Sequence, residues 1–155
     1  MDLNNILIRR ARSDEFKILA EFQQTMAKET EGKTLDANLL IQGINAVFKC
    51  PSKGFYIVAE IQEKVVGSLL ITYEWSDWRN SNIWWIQSVF VSSESRRQGV
   101  YRALYSHIYQ QASTDDTIGG IRLYVDQDNN IAQQTYSNLG MTKSHYQMYE
   151  IDFLL

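Results

Sequence analysis

At 155 residues, 45% hydrophobic and 21% charged, the chain has the size of one domain around one core, spanning 1–155 without a second module. Its formal charge of -3 argues against nucleic acid or an anionic membrane as partner, since phosphate binding demands a clustered Lys/Arg surplus. The one cysteine, Cys50, excludes an intrachain disulfide and so a secreted disulfide scaffold, which makes a reducing cytoplasm the expected compartment.

The opening Met1-Asp2-Leu3-Asn4-Asn5 lacks a basic region followed by an apolar run, and no stretch reaches the roughly 20 apolar residues of a membrane-spanning helix. Ile6 to Arg10 reads as a first strand. Ser13-Asp14 offers a cap for a helix through Phe16, Leu19, Ala20, Met26 and Ala27. Leu40, Ile44, Val47 and Phe48 repeat at helical spacing until Pro51 stops them.

The period then changes. Phe55 to Glu60 and Val65 to Tyr73 are rich in β-branched and aromatic residues, with Gln62-Glu63 as a hairpin turn between them. Ile83 to Val91 is a fourth strand. Val100, Leu104 and Ile108 mark a third helix from Gly99 onward. Ile121 to Val125 reads as a short strand, Asn130 to Leu139 as a helix ended by Gly140, and Ser144 to Phe153 as a last strand. The expected class is α/β with a mixed sheet, in the order β-α-α-β-β-β-α-β-α-β.

The passage from the fourth strand into the third helix carries the most chemistry. A strand that enters a basic, glycine-containing turn and then a helix makes an anion site, because unpaired backbone N–H groups and the helix dipole point at the turn. Gly99 permits close backbone approach, and Arg96, Arg97 and Arg102 add charge. A diphosphate suits such a turn, although strand-to-helix turns of this composition also occur without a ligand.

Further on, Asn129, Ala132, Tyr136 and Gly140 fall at spacings of three or four, along one side of a helix. Arg96-x-x-Gly99 after Val89-Phe90-Val91, followed by Asn129-x-x-Ala132-x-x-x-Tyr136-x-x-x-Gly140-Met141, resembles the GCN5-related N-acetyltransferase (GNAT) superfamily. The resemblance implies a sheet that splays between its fourth and fifth strands, with the pantetheine arm of acetyl-CoA in the split. It implies that strand atoms at Val89, Phe90 and Val91 pair with the pantetheine amides. The turn formed by Arg96, Arg97, Gln98, Gly99, Val100, Tyr101 and Arg102 would hold the diphosphate, with Asn129 and Tyr136 on the cofactor side. Tyr101 departs from the family, which usually has Gly or Ala two residues after the motif glycine.

The activity implied is transfer of acetyl from acetyl-CoA to a primary amine, by direct attack and without a covalent enzyme intermediate. An ammonium must lose a proton before it attacks, and the departing thiolate benefits from an acid. Tyr136 matches the tyrosine that the family places beside the cofactor sulfur, where a phenol can donate. In the diamine-type members that residues 73–91 resemble, an acid lies near the position of Gln87. Gln87 cannot act as a base, but it can orient water or the acceptor.

Glu74 at the end of the third strand is the preferred carboxylate, with Glu29 and Glu31 next. Trp75 and Trp78, beside Glu74 and Asp77, form an aromatic and acidic border that suits a small cationic amine. Trp84 and Trp85 cannot both face one core, because adjacent strand positions face opposite sides. His107 and His145 lack metal-ligand spacing, and no metal is expected. Cys50 reads as a free structural thiol. Two alternatives remain open: an acetyl-CoA sensor without turnover, and a protein-interaction module. The apolar segment Tyr149-Glu150-Ile151-Asp152-Phe153-Leu154-Leu155 makes a homodimer an expectation.

Overall fold

A computed structural model describes residues 5–154. Two compact units divide the chain, one up to Leu123 and one from Tyr124 on. The first contains the sheet: β1 (Ile6–Arg10), α1 (Phe16–Glu31), α2 (Ala37–Lys49), β2 (Phe55–Ile61), β3 (Lys64–Ser76), β4 (Ser81–Val91), α3 (Val100–Ser113) and β5 (Ile118–Arg122). The second contains α4 (Asn130–Asn138).

The five strands lie in the order β1-β2-β3-β4-β5. The first four pair antiparallel, and β5 joins β4 in parallel. The β2–β3 hairpin turns at Gln62 and Glu63, with φ of 50° and 63°, the left-handed pair that a two-residue hairpin needs. Side chains alternate between the two faces of each strand. On one face Tyr56 and Val58 are buried with Leu19 of α1 and Ile44 of α2. On the other, Ile57, Leu69 and Ile71 are fully buried, as are Leu104 and Ile108 of α3.

Carboxylates set the starts of α1 and α2. Asp36 caps α2 by accepting from the Leu39 N–H at 2.9 Å. Ahead of α1 the expected Ser13-Asp14 cap gives way to a tight 3-10 turn over Ser13–Glu15, with no side-chain cap from either residue. Glu15 takes over because its carboxylate accepts from the Arg12 N–H at 2.7 Å and from both terminal nitrogens of Arg9 at 2.8 Å. Arg9 also reaches Glu60 at 3.2 Å, tying β1 to β2 beneath the helix start.

The hydrogen bond from Arg9 holds the Glu15 carboxyl at about 2. Its folded value lies below the ordinary carboxylate range, so it contributes stability above pH 4.5 that is lost as the pH falls toward 2. Glu15→Gln is expected to lower stability at neutral pH by roughly 2 kcal/mol, the scale of hydrogen bonds to a charged group. In urea unfolding, the gap between parent and variant should narrow as the pH falls from about 4.5 to about 2.

Element order follows the expectation from β1 to α4, with two local differences. β5 occupies Ile118–Arg122 and not residues 121–125. Its start is disguised by Gly119-Gly120, which read as a break; yet Gly119 lies so close to β4 that an added Cβ would sit 2.2 Å from Ser81 Oγ. Its end follows from β4, whose pairing with β5 stops at Trp85 and Arg122. Over 144–153, expected as a last strand, the described backbone forms no strand. The N–H groups of Tyr146 and Leu154 instead bond to the side chains of Ser144 and Asp152, local turns that compete with a ladder.

Candidate active site

β4 is paired on both edges only near its start. Asn82 to Trp85 meet β5, whereas residues 86–91 pair with β3 alone among the described residues. The sheet therefore splays between β4 and β5. Within the splayed half, β3 skips a register: Leu70 faces Gln87 and Ser68 faces Phe90, so Ser88 and Val89 together oppose Leu69. Ser88 adopts a φ of 52°, marking a β-bulge.

The bulge reverses the alternation, so Gln87 and Phe90 share the face covered by α1. There the Phe90 ring stacks on Phe22 with centroids 4.8 Å apart. Gln23 of α1, buried on that face, donates to the Ser88 carbonyl at 3.4 Å and pins the bulge. A polar residue among the apolar positions Leu19, Phe22 and Ala27 was the available sequence signal for it.

After β4 the chain turns through Arg96 to Gly99. Arg97 and Gly99 both have positive φ, 62° and 82°, which aims successive amides into one concavity. The first N–H to enter the α3 ladder is that of Ala103, bonded to the Gly99 carbonyl at 3.0 Å. The N-terminus of α3 thus opens on the turn, with its dipole aimed there. The Arg97 and Arg102 side chains are exposed beside it.

Arg96 serves the turn differently. Its guanidinium bonds to the Val91 carbonyl and to Glu29 of α1, both at 2.8 Å, and lies 5.6 Å from the Phe90 ring. It braces the turn against β4 and α1. Gln98 donates to the Glu94 carbonyl at 3.0 Å, while its own carbonyl oxygen is buried without a protein donor. A strand edge without a β5 partner among the described residues, leading to a helix N-terminus and two exposed arginines, fits the amides and diphosphate of acetyl-CoA.

The expected acceptor residues divide. Register places Thr72, Glu74, Trp85, Gln87 and Arg122 on the α1 face of β3, β4 and β5. Gln87 donates to the Thr72 hydroxyl, and Glu74 forms an ion pair with Arg122 across β4. The preferred carboxylate thus has a resident cation. Sequence spacing gave no sign of Thr72 or Arg122 as its companions.

Glu29 is engaged by Arg96, and Glu31 lies 3.8 Å from Lys33. Trp84 is buried on the opposite face against Phe55, with centroids 5.2 Å apart, whereas Trp85 is half-buried beside Gln87. Trp75 and Trp78 are exposed at the β3–β4 hairpin, Trp78 at 91%. His107, on α3, packs against the far face, where burial and then Arg10 lower its proton affinity. Among the described residues no group of three or more His, Cys, Asp or Glu side chains is arranged to hold a metal ion, and no helix is long and apolar enough to cross a membrane.

In the second unit, Asn129 caps α4 by accepting from the Ala132 N–H at 3.1 Å. That gives its side chain a structural duty besides the cofactor contact expected of it. Tyr136 is half-buried on α4, and its carbonyl accepts from the Met141 N–H at 3.1 Å past Gly140, whose φ is 92°. This left-handed close ends the helix where the sequence places its stop.

The mixed sheet opens at its parallel strand pair, and its bulged strand runs into a basic turn at the start of α3. The Acetyltransferase (GNAT) family model matches residues 14–141, and the chain belongs to that family. A possible acetyltransferase from Clostridium difficile 630 is 44% identical, with a TM-score of 0.91 over 97% of this chain and 99% of its own. A probable acetyltransferase, 19% identical, superposes with a TM-score of 0.83 over 95% of this chain and 97% of its own. An aminoglycoside acetyltransferase from an uncultured soil metagenomic sample, in complex with sisomicin, shares 17% identity and a TM-score of 0.72 over 98% of this chain and 97% of its own. These last two share the fold. No curated protein sequence matches.

Proposed function

We propose that the chain, acting as one acetyltransferase domain over 1–155, transfers acetyl from acetyl-CoA to the primary amine of a small metabolite, cationic at that nitrogen. The observation that carries this reading is the β4 edge over residues 86–91, bare on the β5 side and continuous with the turn at Gly99. Residues Val89, Phe90 and Val91 offer main-chain partners for amides. Arg97, Arg102 and the leading amides of α3 offer them for phosphates.

Acetyl-CoA supplies an activated acetyl thioester with a thiolate leaving group. The chain's own residues must then strip a proton from the ammonium, position the amine, and supply a proton to sulfur. Glu74 is the carboxylate assigned to the first duty, Gln87 with Thr72 to the second, and Tyr136 to the third. Trp75, Trp78, Glu29 and Glu31 border the acceptor side, and a cationic nitrogen gains from both the aromatic and the acidic groups.

The test is release of free thiol from acetyl-CoA with a panel of small amines, against an amine-free control. Amine-dependent release supports the reading. Acetyl-CoA binding without release on any amine would favour a second reading, a sensor that binds without turnover, for which Gln87 and the neutralised Glu74 speak. Within the transferase reading, Glu74→Gln is expected to cut kcat/KM by about 100-fold and shift the alkaline rise of the pH–rate profile, as loss of a general base does. An unchanged profile would move the duty to Glu29, Glu31 or water.

A further inference from the structure

The ion pair between Glu74 and Arg122 spans the sheet in an unusual way. The two side chains come from β3 and β5 and meet over the intervening β4, where the register sets Glu74 against Ile83 and Arg122 against Trp85. Trp85 and Arg122 are the last paired residues before the strands part, so the pair lies at the mouth of the split. Its side chains keep 44% and 37% exposure, and a pair so solvated adds less than about 1 kcal/mol to the fold. Either ion can therefore exchange its partner for a ligand at little cost.

Around the pair the same face supplies the Gln87 amide bonded to the Thr72 hydroxyl, and the half-buried Trp85. An acceptor that was only a cation would meet Arg122 beside its intended carboxylate and be repelled. A molecule with an ammonium and a carboxylate one or two carbons apart matches both ions at their observed adjacency. Its carboxylate takes the fork of Arg122, which presents parallel N–H donors to a planar anion. Its ammonium then inherits Glu74, freed to accept a proton.

Building on the transferase reading above, we propose that the acceptor is an amino acid or close analogue, and that Arg122 selects it by binding its carboxylate. The reaction balances without a further reactant. The ammonium gives one proton to the Glu74 side, its nitrogen forms the bond to the acetyl carbon, and the carbon–sulfur bond breaks; the nitrogen's second proton balances the one the thiolate takes to leave as free thiol, and the proton on the Glu74 side returns to water.

The experiment compares amino acids with their carboxamides and decarboxylated amines as acceptors, by thiol release from acetyl-CoA, in the parent, Arg122→Met and Arg122→Lys. Acetyl-CoA binding is measured on all three by titration. The parent should prefer the best acid over its own amide by about 30-fold in kcat/KM, the scale of a charge-assisted bidentate contact. Arg122→Met should reduce that preference to less than about threefold, and Arg122→Lys should restore part of it.

Amides or decarboxylated amines used as well as the acids, or a preference unchanged in Arg122→Met, would overturn the proposal while leaving the transferase reading intact. Acetyl-CoA bound with no acceptor consumed would overturn it together with turnover. Absence of acetyl-CoA binding in the parent would overturn the cofactor site beneath both.

Discussion

Tyr136→Phe is expected to lower kcat for acetyl transfer by about 100-fold while leaving acetyl-CoA affinity within about twofold, the signature of an acid that acts only in the transition state. The substitution removes one hydroxyl and keeps the ring. α4 is held by the Asn129 cap at its start and by the Tyr136 main-chain carbonyl at its end, and neither bond uses the hydroxyl. A purely structural tyrosine would instead show its loss in stability and in affinity together. Single-turnover thiol release beside a titration with acetyl-CoA separates the two, and equal losses in both would remove the acid role.

Gly99→Asp is expected to weaken acetyl-CoA binding by more than about 100-fold, because two penalties act at one atom. The φ of 82° is a left-handed conformation that costs a side-chain-bearing residue about 1–2 kcal/mol. The new carboxylate would also stand at the α3 N-terminus, where the helix dipole and Arg97 and Arg102 favour an anion, and would occupy the proposed phosphate site. Gly99→Ala carries the first penalty alone and should lose far less. If both variants bind like the parent, the turn is not the phosphate site.

Periodicity and turn chemistry made most of the sheet legible. β1 runs from Ile6 to Arg10 as its composition indicates, and the hairpin turns at Gln62-Glu63. What escaped were features decided by partners distant in sequence. Gly119-Gly120 hid the start of β5 because glycine reads as a break, yet close packing on Ser81 requires a glycine there. The β4 bulge carries no Gly or Asn signal; Ser88 takes its positive φ while Gln23, from a helix 65 residues away, bonds its carbonyl.

In the candidate site, the turn from Arg96 to Arg102 stands out as a local motif, whereas the groups that strands bring together do not. Glu74 stood out as a carboxylate at a strand end, but Arg122 lies 48 residues further on and meets it only because β5 is parallel to β4. Arg96 illustrates the limit of a motif: the basic residue lies in the turn, and its neighbours Glu29 and Val91 give it a bracing duty. The apolar alternation of residues 144–153 resembled a strand, yet Tyr149, Ile151 and Phe153 are exposed, and the N–H groups of Tyr146 and Leu154 take the side chains of Ser144 and Asp152.

The most direct measurement is isothermal titration of the purified chain with acetyl-CoA. The account predicts saturable heat at one molecule per chain, lost in Gly99→Asp and retained in Tyr136→Phe. An absence of heat in the parent, at concentrations where its fold is intact by circular dichroism, would contradict it.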